Sequence, residues 1–385
     1  MQISNNNKNN NLSTDEIDRY KRHLSLKNFG EEGQLALKNS SVVFIGAGGL
    51  GSSAIIYIAA AGIGKIGIAD SDQVEISNLQ RQIIHNTSEI GNNKTDSAKK
   101  RISELNPHCQ IEIFNERISS KNIIDIINKF DIVCDCSDNF STRFLINDAC
   151  LILKKPLIYG SVQGFEGQVS VFNLNENSPN LRDLLPRPPE QDLIPSCEEY
   201  GVIGVSPGII GILQANEIIK IIIKKGEILN GKILIFNLLE NNMKKLNLKA
   251  DIKNKNIFDL FTYKQDYETK NKCNNGIKIK TISCSEFKKI YKKNLDKILI
   301  FDVREKRDFQ LYSIKGSISL PLSTIDKKST FEFIRQKSFG KKIYTLCQKG
   351  IRSETASKIL IQEKIESFSI VGGLEGMGDI EGIDQ

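Results

Sequence analysis

Residues 41–54 read SVVFIGAGGLGSSA. A β-branched and aromatic run, Val42–Ile45, enters three glycines spaced as Gly46-x-Gly48-x-x-Gly51. Small and apolar residues then continue to Ala61. The pattern predicts a strand, a tight turn and a helix. Glycines let the backbone approach a ligand closely, and the free N–H groups at the helix N-terminus favour phosphate oxygens. Asp70 closes the next apolar run, where an acid can accept a hydrogen bond from a ribose.

Outward from this loop, short apolar runs alternate with helical patterns. Strands are expected at 41–45, 66–70, 111–114, 131–135, 157–160, 168–173 and 232–237, and helices at 50–61, 94–105, 121–128, 141–153 and 209–225. This alternation specifies an α/β fold: a Rossmann-like, mostly parallel sheet covered on both faces, with GQVSVFN and GKILIFN forming an antiparallel extension. Upstream, Ser13 and Glu16 have capping-box spacing, so a helix is expected to carry DRYKRHL. Residues 1–13 read as a polar tail, 14–245 as the nucleotide-binding domain, 246–277 as a lysine-rich linker and 278–385 as a smaller α/β domain. The smaller domain has strands at 298–302 and 342–346 and a helix after Arg352. No internal repeat is visible.

The 385 residues allow two or three domains. The net charge of +7 is scattered, without a basic stripe interleaved with aromatics, so nucleic acid is not expected as a partner. Eight cysteines spread without a framework point to a reducing compartment. The N-terminal residues lack the apolar core of a signal peptide. The most apolar run, 209–225, contains Gln214, Asn216, Glu217 and Lys220, and is expected as a buried helix, not a membrane span. Trp is absent while Ile, Asn and Lys recur, a bias that suggests an AT-rich genome. That bias gives the expected location, the plastid stroma if organelle-encoded and otherwise the bacterial cytoplasm.

A glycine loop with an acid after it also suits a nicotinamide-dependent oxidoreductase. The neighbouring residues favour another chemistry. Asn78, Arg81 and Lys94 would bring polar and cationic groups to the cleft, and Asp138 closes another strand end. A departing pyrophosphate needs such cations, because charge builds on the phosphates in the transition state.

The segments RYKRHL, GAGGLGS, ISNLQRQ, IGNNKTDSA, NPHCQI, DCSDN, GQVSVF and PSCEEYGVIGVSPGIIG together resemble the MoeB/ThiF family, relatives of the ubiquitin-activating enzymes, over residues 14–245. The resemblance implies Mg2+–ATP, a homodimer, and a small ubiquitin-like sulfur carrier ending in Gly-Gly whose terminal carboxylate becomes an acyl-adenylate. Gly46, Gly48, Gly49, Gly51, Asp70, Ser77, Asn78, Leu79, Gln80, Arg81, Lys94, Asp138 and Asn139 would form the ATP site. Asp70 would hold the ribose, Asp138 the magnesium, and Arg22 would reach the phosphates from the second subunit. Cys197, in PSCEEYG, matches a cysteine in a flexible crossover loop whose function varies among relatives; the resemblance leaves open a covalent link to the carrier and a tolerated loop cysteine, and Glu198 and Glu199 beside it weaken a thiolate. Many relatives hold zinc with two C-x-x-C pairs. Here Asn180 and Asp183 stand in the first pair's positions and no second pair is found near 250, so no structural zinc is expected.

Near the C-terminus, CQKGIRS (347–353), LIFDVREKRDF, SIKGSISLPL and VGGLEGM resemble the motifs of rhodanese domains. A cysteine opening a glycine-containing loop ahead of a helix can aim its sulfur into a ring of N–H groups that stabilises an anionic persulfide. Cys347, Gly350 and Arg352 are the expected parts. Ser313 replaces a histidine common in the pattern. The resemblance implies that Cys347, loaded by a persulfide donor such as a cysteine desulfurase, passes sulfur to the adenylated carrier. Molybdenum cofactor biosynthesis is the expected pathway. The alternatives are the same chemistry in thiamine synthesis or tRNA thiolation, and a non-catalytic scaffold that binds carriers. Cys134, Cys136, Cys150 and Cys284 read as small core or incidental residues.

Overall fold

In the computed structural model, which describes residues 11–189, 201–260, 279–325, 328–378 and 383–384, the opening run becomes strand β1, Ser41–Ile45. Successive side chains on a strand point to opposite faces. Val42 and Phe44 therefore enter one apolar core with Ile55 and Ile58, while Val43 and Ile45 enter another with Ile126 and Phe144. A strand with two apolar faces must be covered by helices on both sides.

The remaining strands of the first unit are β2 (Lys65–Ala69), β3 (Gln110–Phe114), β4 (Ile132–Asp135), β5 (Leu157–Gln163), β6 (Glu166–Phe172), β7 (Lys232–Asn237) and β8 (Asn242–Asn247). They form one sheet in the order β3-β2-β1-β4-β5-β6-β7-β8. The first five run parallel. The last three extend the sheet with antiparallel pairings. The chain moves outward from β1 to β3 and then returns to β4 on the other side, so the strand order switches between β1 and β4. In open α/β sheets such a switch leaves a crevice at the carboxyl ends of the strands.

Two helices differ from expectation. The DRYKRHL segment is broken at Tyr20 into Thr14–Arg19 and Lys21–Leu24. The break seats Tyr20 in the core, where its hydroxyl accepts a hydrogen bond from Asn106 Nδ2 at 2.8 Å. The capping box forms, with Ser13 Oγ accepting from Glu16 N at 3.2 Å and Glu16 Oε2 from Ser13 N at 2.8 Å. The apolar helix spans Val205–Ile223, starting ahead of Pro207, which a first helical turn tolerates. By length and composition it could cross a membrane. Here it packs on the helix Gly49–Ala61 and on the sheet, and it buries Gln214 and Glu217. Both polar groups are satisfied: Gln214 Nε2 donates to Asp135 O at 2.7 Å, and Glu217 Oε2 accepts from Leu229 N at 2.9 Å.

The start of the stretch read as a linker is folded onto the first unit. β8 runs to Asn247, a short 3-10 turn covers Ile252–Lys255, and Ile257 and Leu260 are buried. Residues 261–277 lie outside the described residues. The anchor is polar. Asp183 accepts hydrogen bonds from Asn180 N (2.8 Å), Asn180 Nδ2 (3.1 Å), Asp251 N (2.8 Å) and Asn254 Nδ2 (2.9 Å). Arg182 next to it lies buried against Asp148, with Nε to Oδ1 at 3.0 Å and a terminal nitrogen to Oδ2 at 2.6 Å. Asn180 and Asp183 thus tie two chain segments together through hydrogen bonds.

The second unit is built from β9 (Lys280–Ser283), β10 (Ile298–Asp302), β11 (Ser313–Ile314), β12 (Ser317–Ser319), β13 (Lys342–Leu346), β14 (Ser367–Val371) and β15 (Ile383–Asp384). Five of them form a parallel sheet, β12-β10-β13-β14-β9, and β11 pairs antiparallel with β15. Leu299 and Phe301 face one core, Ile298 and Ile300 the other. The helix after β13 begins at Ile351, so Arg352 lies in its first turn and not before it.

Charged hydrogen-bond acceptors each contribute a few kcal/mol when their donors lose them. Asp183→Ala is therefore expected to destabilise the first unit by about 2 kcal/mol, read as a lower Tm in a thermal melt. A metal chelator should leave the Tm of the parent protein unchanged. A chelator-induced fall would contradict the view that hydrogen bonds alone make this anchor.

Candidate active sites

The crevice predicted by the strand order is a cavity of about 470 Å³. Its floor is the glycine loop, with Gly46, Gly48 and Gly49. Gly46 has φ +106°, and a Cβ there would lie 2.6 Å from Cys136 O. Gly51 sits inside the helix and lets it close on the loop, since a Cβ would lie 2.2 Å from Gly46 O. Only glycine fits either place.

The Ala47 peptide is gripped from both sides. Asp70 Oδ2 accepts from Ala47 N at 2.8 Å, and Oδ1 accepts from Asp72 N at 2.9 Å. His85 is buried with Nε2 3.0 Å from Ala47 O and Nδ1 2.9 Å from Ser97 Oγ. A neutral ring donating from Nε2 and accepting at Nδ1 satisfies both contacts. Burial pushes the His85 pKa down, with the nearby Lys94 acting in the same direction. Burial pushes the Asp70 carboxyl up, while Lys94 and the two backbone donors oppose it.

Around this floor stand the charged groups. Lys94 is buried at the start of the helix Lys94–Leu105, its Nζ 2.8 Å from Asp72 Oδ2. Arg81 borders the cavity and donates to Ser77 O at 3.0 Å. Asp138, exposed at the end of β4, accepts from Asn139 Nδ2 at 3.2 Å, and Asn139 caps the helix Phe140–Leu153 by accepting from Thr142 N at 2.9 Å. Gly46, Gly48, Gly49, Asp70, Arg81, Lys94, Asp138 and Asn139 thus border one cavity.

Other expected residues do not line it. Ser77 bonds to Glu75, Asn78 is buried in a capping box with Glu75, Gln80 reaches Val202 O, and Leu79 is likewise absent from the lining. Arg22 is exposed on Lys21–Leu24, away from the cavity lining. Cys197 lies outside the described residues.

The structure adds residues the sequence reading missed. Arg117 and Arg143 border the cavity, and Arg143 is buried, donating to Ser137 O at 2.6 Å with Asp135 Oδ2 at 3.5 Å. Gln82, also buried there, has its Oε1 without a protein hydrogen-bond partner. A hydroxyl or amine of a bound nucleotide would satisfy it. Gln82 ends the ISNLQRQ motif and His85 lies three residues beyond it, and that position was the only available signal.

In the second unit, Cys347 is buried where β13 ends. Its Sγ accepts from Gly350 N at 3.1 Å and Ser353 N at 3.3 Å, and lies 3.6 Å from Ser353 Oγ. Gly350, at φ +94°, turns the loop over the sulfur. VGGLEGM docks beneath: Leu374 N donates to Cys347 O at 2.9 Å and Glu375 N to Gln348 O at 3.0 Å. Arg304 forms a buried fork with Asp302 (3.0 and 2.7 Å) and donates to Tyr312 O, while Tyr312 Oη donates to Gln348 Oε1 at 3.0 Å. These contacts hold two N–H groups against the sulfur, suited to a sulfur anion.

Fold and sites define a nucleotide-binding α/β transferase followed by a sulfur-handling module. The model of the ThiF family matches residues 20–257, and that of the rhodanese-like domain matches residues 283–378. The chain belongs to the ThiF family and carries a rhodanese-like domain behind it. It is similar to the probable molybdopterin-synthase adenylyltransferase of Pyropia yezoensis, at 40% identity over 96% of each chain. It is also similar to the adenylyltransferase and sulfurtransferase MOCS3 of Drosophila virilis, at 36% identity over 90% of this chain and 79% of that one. Among solved structures it shares its fold with Escherichia coli MccB solved with ATP, with a TM-score of 0.55 and 22% identity over 64% of this chain and 74% of that one.

The lowered pKa of His85 has a stability consequence. As pH falls through the unfolded value of about 6.5, the unfolded chain binds a proton that native His85 refuses, so stability falls with acid. Urea unfolding at about pH 7.5 and pH 5.5 should show that fall. His85→Gln should remove part of it and weaken nucleotide binding. Equal falls in both proteins would contradict the assignment.

Proposed function

We propose that this enzyme adenylylates the C-terminal glycine of a ubiquitin-like sulfur carrier and then converts it to a thiocarboxylate. The carrier read here is the small subunit of molybdopterin synthase, in molybdenum cofactor biosynthesis. One observation carries the proposal: a glycine-floored cleft ringed by Arg81, Lys94 and Arg117 stands in the same chain as a loop that holds Cys347 Sγ between backbone N–H groups.

The cleft fits ATP. Its floor has no side chains at Gly46, Gly48 and Gly49, its cations match phosphate oxygens, and Gln82 Oε1 is unpaired. Among the described residues no group of three or more His, Cys, Asp or Glu side chains gathers to hold a metal. That suits Mg2+, which binds through one or two carboxylates with phosphates and keeps several waters. Asp138 would hold it, and the ion would neutralise phosphate charge. Arg22 is exposed and away from its own cleft, which fits donation from the second subunit of a homodimer.

In the first half-reaction a carrier carboxylate oxygen attacks the α-phosphorus. The bond to the β-phosphate oxygen breaks and pyrophosphate leaves. Lys94 and Arg81 stabilise the developing charge, and Lys94 does so from a buried position where water screens little. In the second, the terminal sulfur of a Cys347 persulfide, loaded by a persulfide donor, attacks the carrier acyl carbon and AMP leaves. The product is an acyl disulfide. A second thiol then attacks its S–S bond at the Cys347 sulfur, and the carrier departs as the thiocarboxylate.

Carrier-dependent exchange of pyrophosphate into ATP isolates the first half-reaction. Arg81→Ala and Lys94→Ala should each lower it by about 10²-fold or more, the scale for removing one transition-state charge partner. Cys347→Ala should leave exchange intact. Normal exchange in the Arg81 and Lys94 variants, or its loss in the Cys347 variant, would overturn the division of labour.

A further inference from the structure

We infer that Cys134 and Cys136 form a reversible oxidation site that shuts the nucleotide cleft, with a hydroperoxide as oxidant. The two residues bracket Asp135 at the end of β4, and their Sγ atoms lie 3.7 Å apart. Cys136 lines the cleft beside the glycine loop, while Cys134 lies fully buried behind it. Cys136 is itself buried, at 6% exposure, so a small oxidant reaches it only through the cleft it borders, and the second thiol waits in contact as its resolving partner.

The step balances with peroxide alone. Cys136 Sγ takes one oxygen from the hydroperoxide and becomes a sulfenic acid, losing two electrons, while the peroxide is reduced to water or an alcohol. Cys134 Sγ attacks the Cys136 sulfur, the S–S bond forms, and the departing hydroxide takes the Cys134 proton to leave as water. A dithiol returns the two electrons. Cys134 has no exposure and does not line the cleft, so it serves as the resolving partner and not as the first to react.

Closure of the cleft follows from the packing. A bonded pair lies at about 2 Å, so the sulfurs must move together by more than an ångström. Two residues that flank a single position at a strand end reach that geometry only with strain, which makes the bond easy to reduce. The strand end has little room to yield. Cys136 N donates to Ile45 O at 2.9 Å, and Cys136 O lies where a side chain of Gly46 would be. Cys136 Sγ is also 3.9 Å from Gln214 Oε1. Moving Cys136 therefore moves the glycine loop and the turn that carries Asp138. ATP in the cleft would in turn cover Cys136 and protect it.

The inference rests on the cleft taking ATP. The test uses the full chain carrying Cys347→Ala, treated with hydrogen peroxide, with and without ATP. Non-reducing peptide mass mapping reads the Cys134–Cys136 bond, and equilibrium binding reads ATP affinity. The expected result is a bond that forms, loss of ATP binding by tenfold or more, full recovery with dithiothreitol, and slower oxidation when ATP is present. In the same background, Cys134→Ala should bind ATP when reduced, and peroxide should carry its Cys136 to sulfinic acid without a crosslink. Should that variant fail to fold, ATP protection of Cys136 from alkylation in the parent gives the independent reading. ATP binding unchanged after complete crosslinking, or no crosslink at all, would overturn the switch. No ATP binding by the reduced protein would overturn the nucleotide reading, and the switch with it.

Discussion

A backbone contact with no room for a side chain governs the first unit. Gly46 leaves β1 and passes the Cys136 carbonyl so closely that a Cβ would meet it at 2.6 Å. That approach brings the ends of β1 and β4 together at the switch in strand order, and it turns the glycine loop so that the helix after it starts at the crevice. Gly51 then lets the helix close on the loop. Everything else at the site is fixed relative to this contact. Asp70 and His85 hold Ala47 from either side, Lys94 stands near both, and Asp138 follows two residues after Cys136.

The second unit meets a different chemical demand with a similar device. Gly350 turns the loop so that two N–H groups face Cys347 Sγ, and Gly373 passes within 2.3 Å, by its absent Cβ, of Cys347 O. Phosphate oxygens and a persulfide are both anions that must be held without being trapped. Backbone N–H groups suit both tasks, because they are fixed dipoles that need no counter-charge buried beside them. Buried cations are kept where charge develops, as with Lys94 in the first unit.

Much of this was legible in the sequence because glycine and strand patterns are local. SVVFIGAGGLG announces a strand, a tight turn and a helix, and the parallel strands lie within a residue or two of where alternation puts them, β5 reaching further to Gln163. The glycine loop, Asp70, Arg81, Lys94, Asp138 and Cys347 sit in motifs visible in the sequence, and all but Cys347 border one cavity in the fold. What escaped depends on contacts between distant segments. His85 matters because it meets Ala47, thirty-eight positions away in sequence. Arg143 matters because its helix returns it to the end of β4. The Asp183 anchor joins residues near 180 to residues near 251, so 246–260 looked like a linker although it is packed. Tyr20 breaks a helix that its own periodicity would continue, because a partner at Asn106 holds its hydroxyl. Cys134 and Cys136 looked incidental for the same reason, since their 3.7 Å contact and the place of Cys136 beside the cleft emerge only from the folded sheet.

The account's central claim is that one chain activates a carrier carboxylate and then exchanges one of its oxygens for sulfur. The most direct measurement is the intact mass of a ubiquitin-like carrier ending in Gly-Gly after incubation with the full-length protein, ATP, Mg2+, a persulfide donor and a thiol reductant. The account predicts the mass change of an oxygen-to-sulfur exchange at the carrier C-terminus, dependent on ATP and abolished by Cys347→Ala. A carrier that gains sulfur without ATP, or that stays unchanged when every component and a folded enzyme are present, would contradict it.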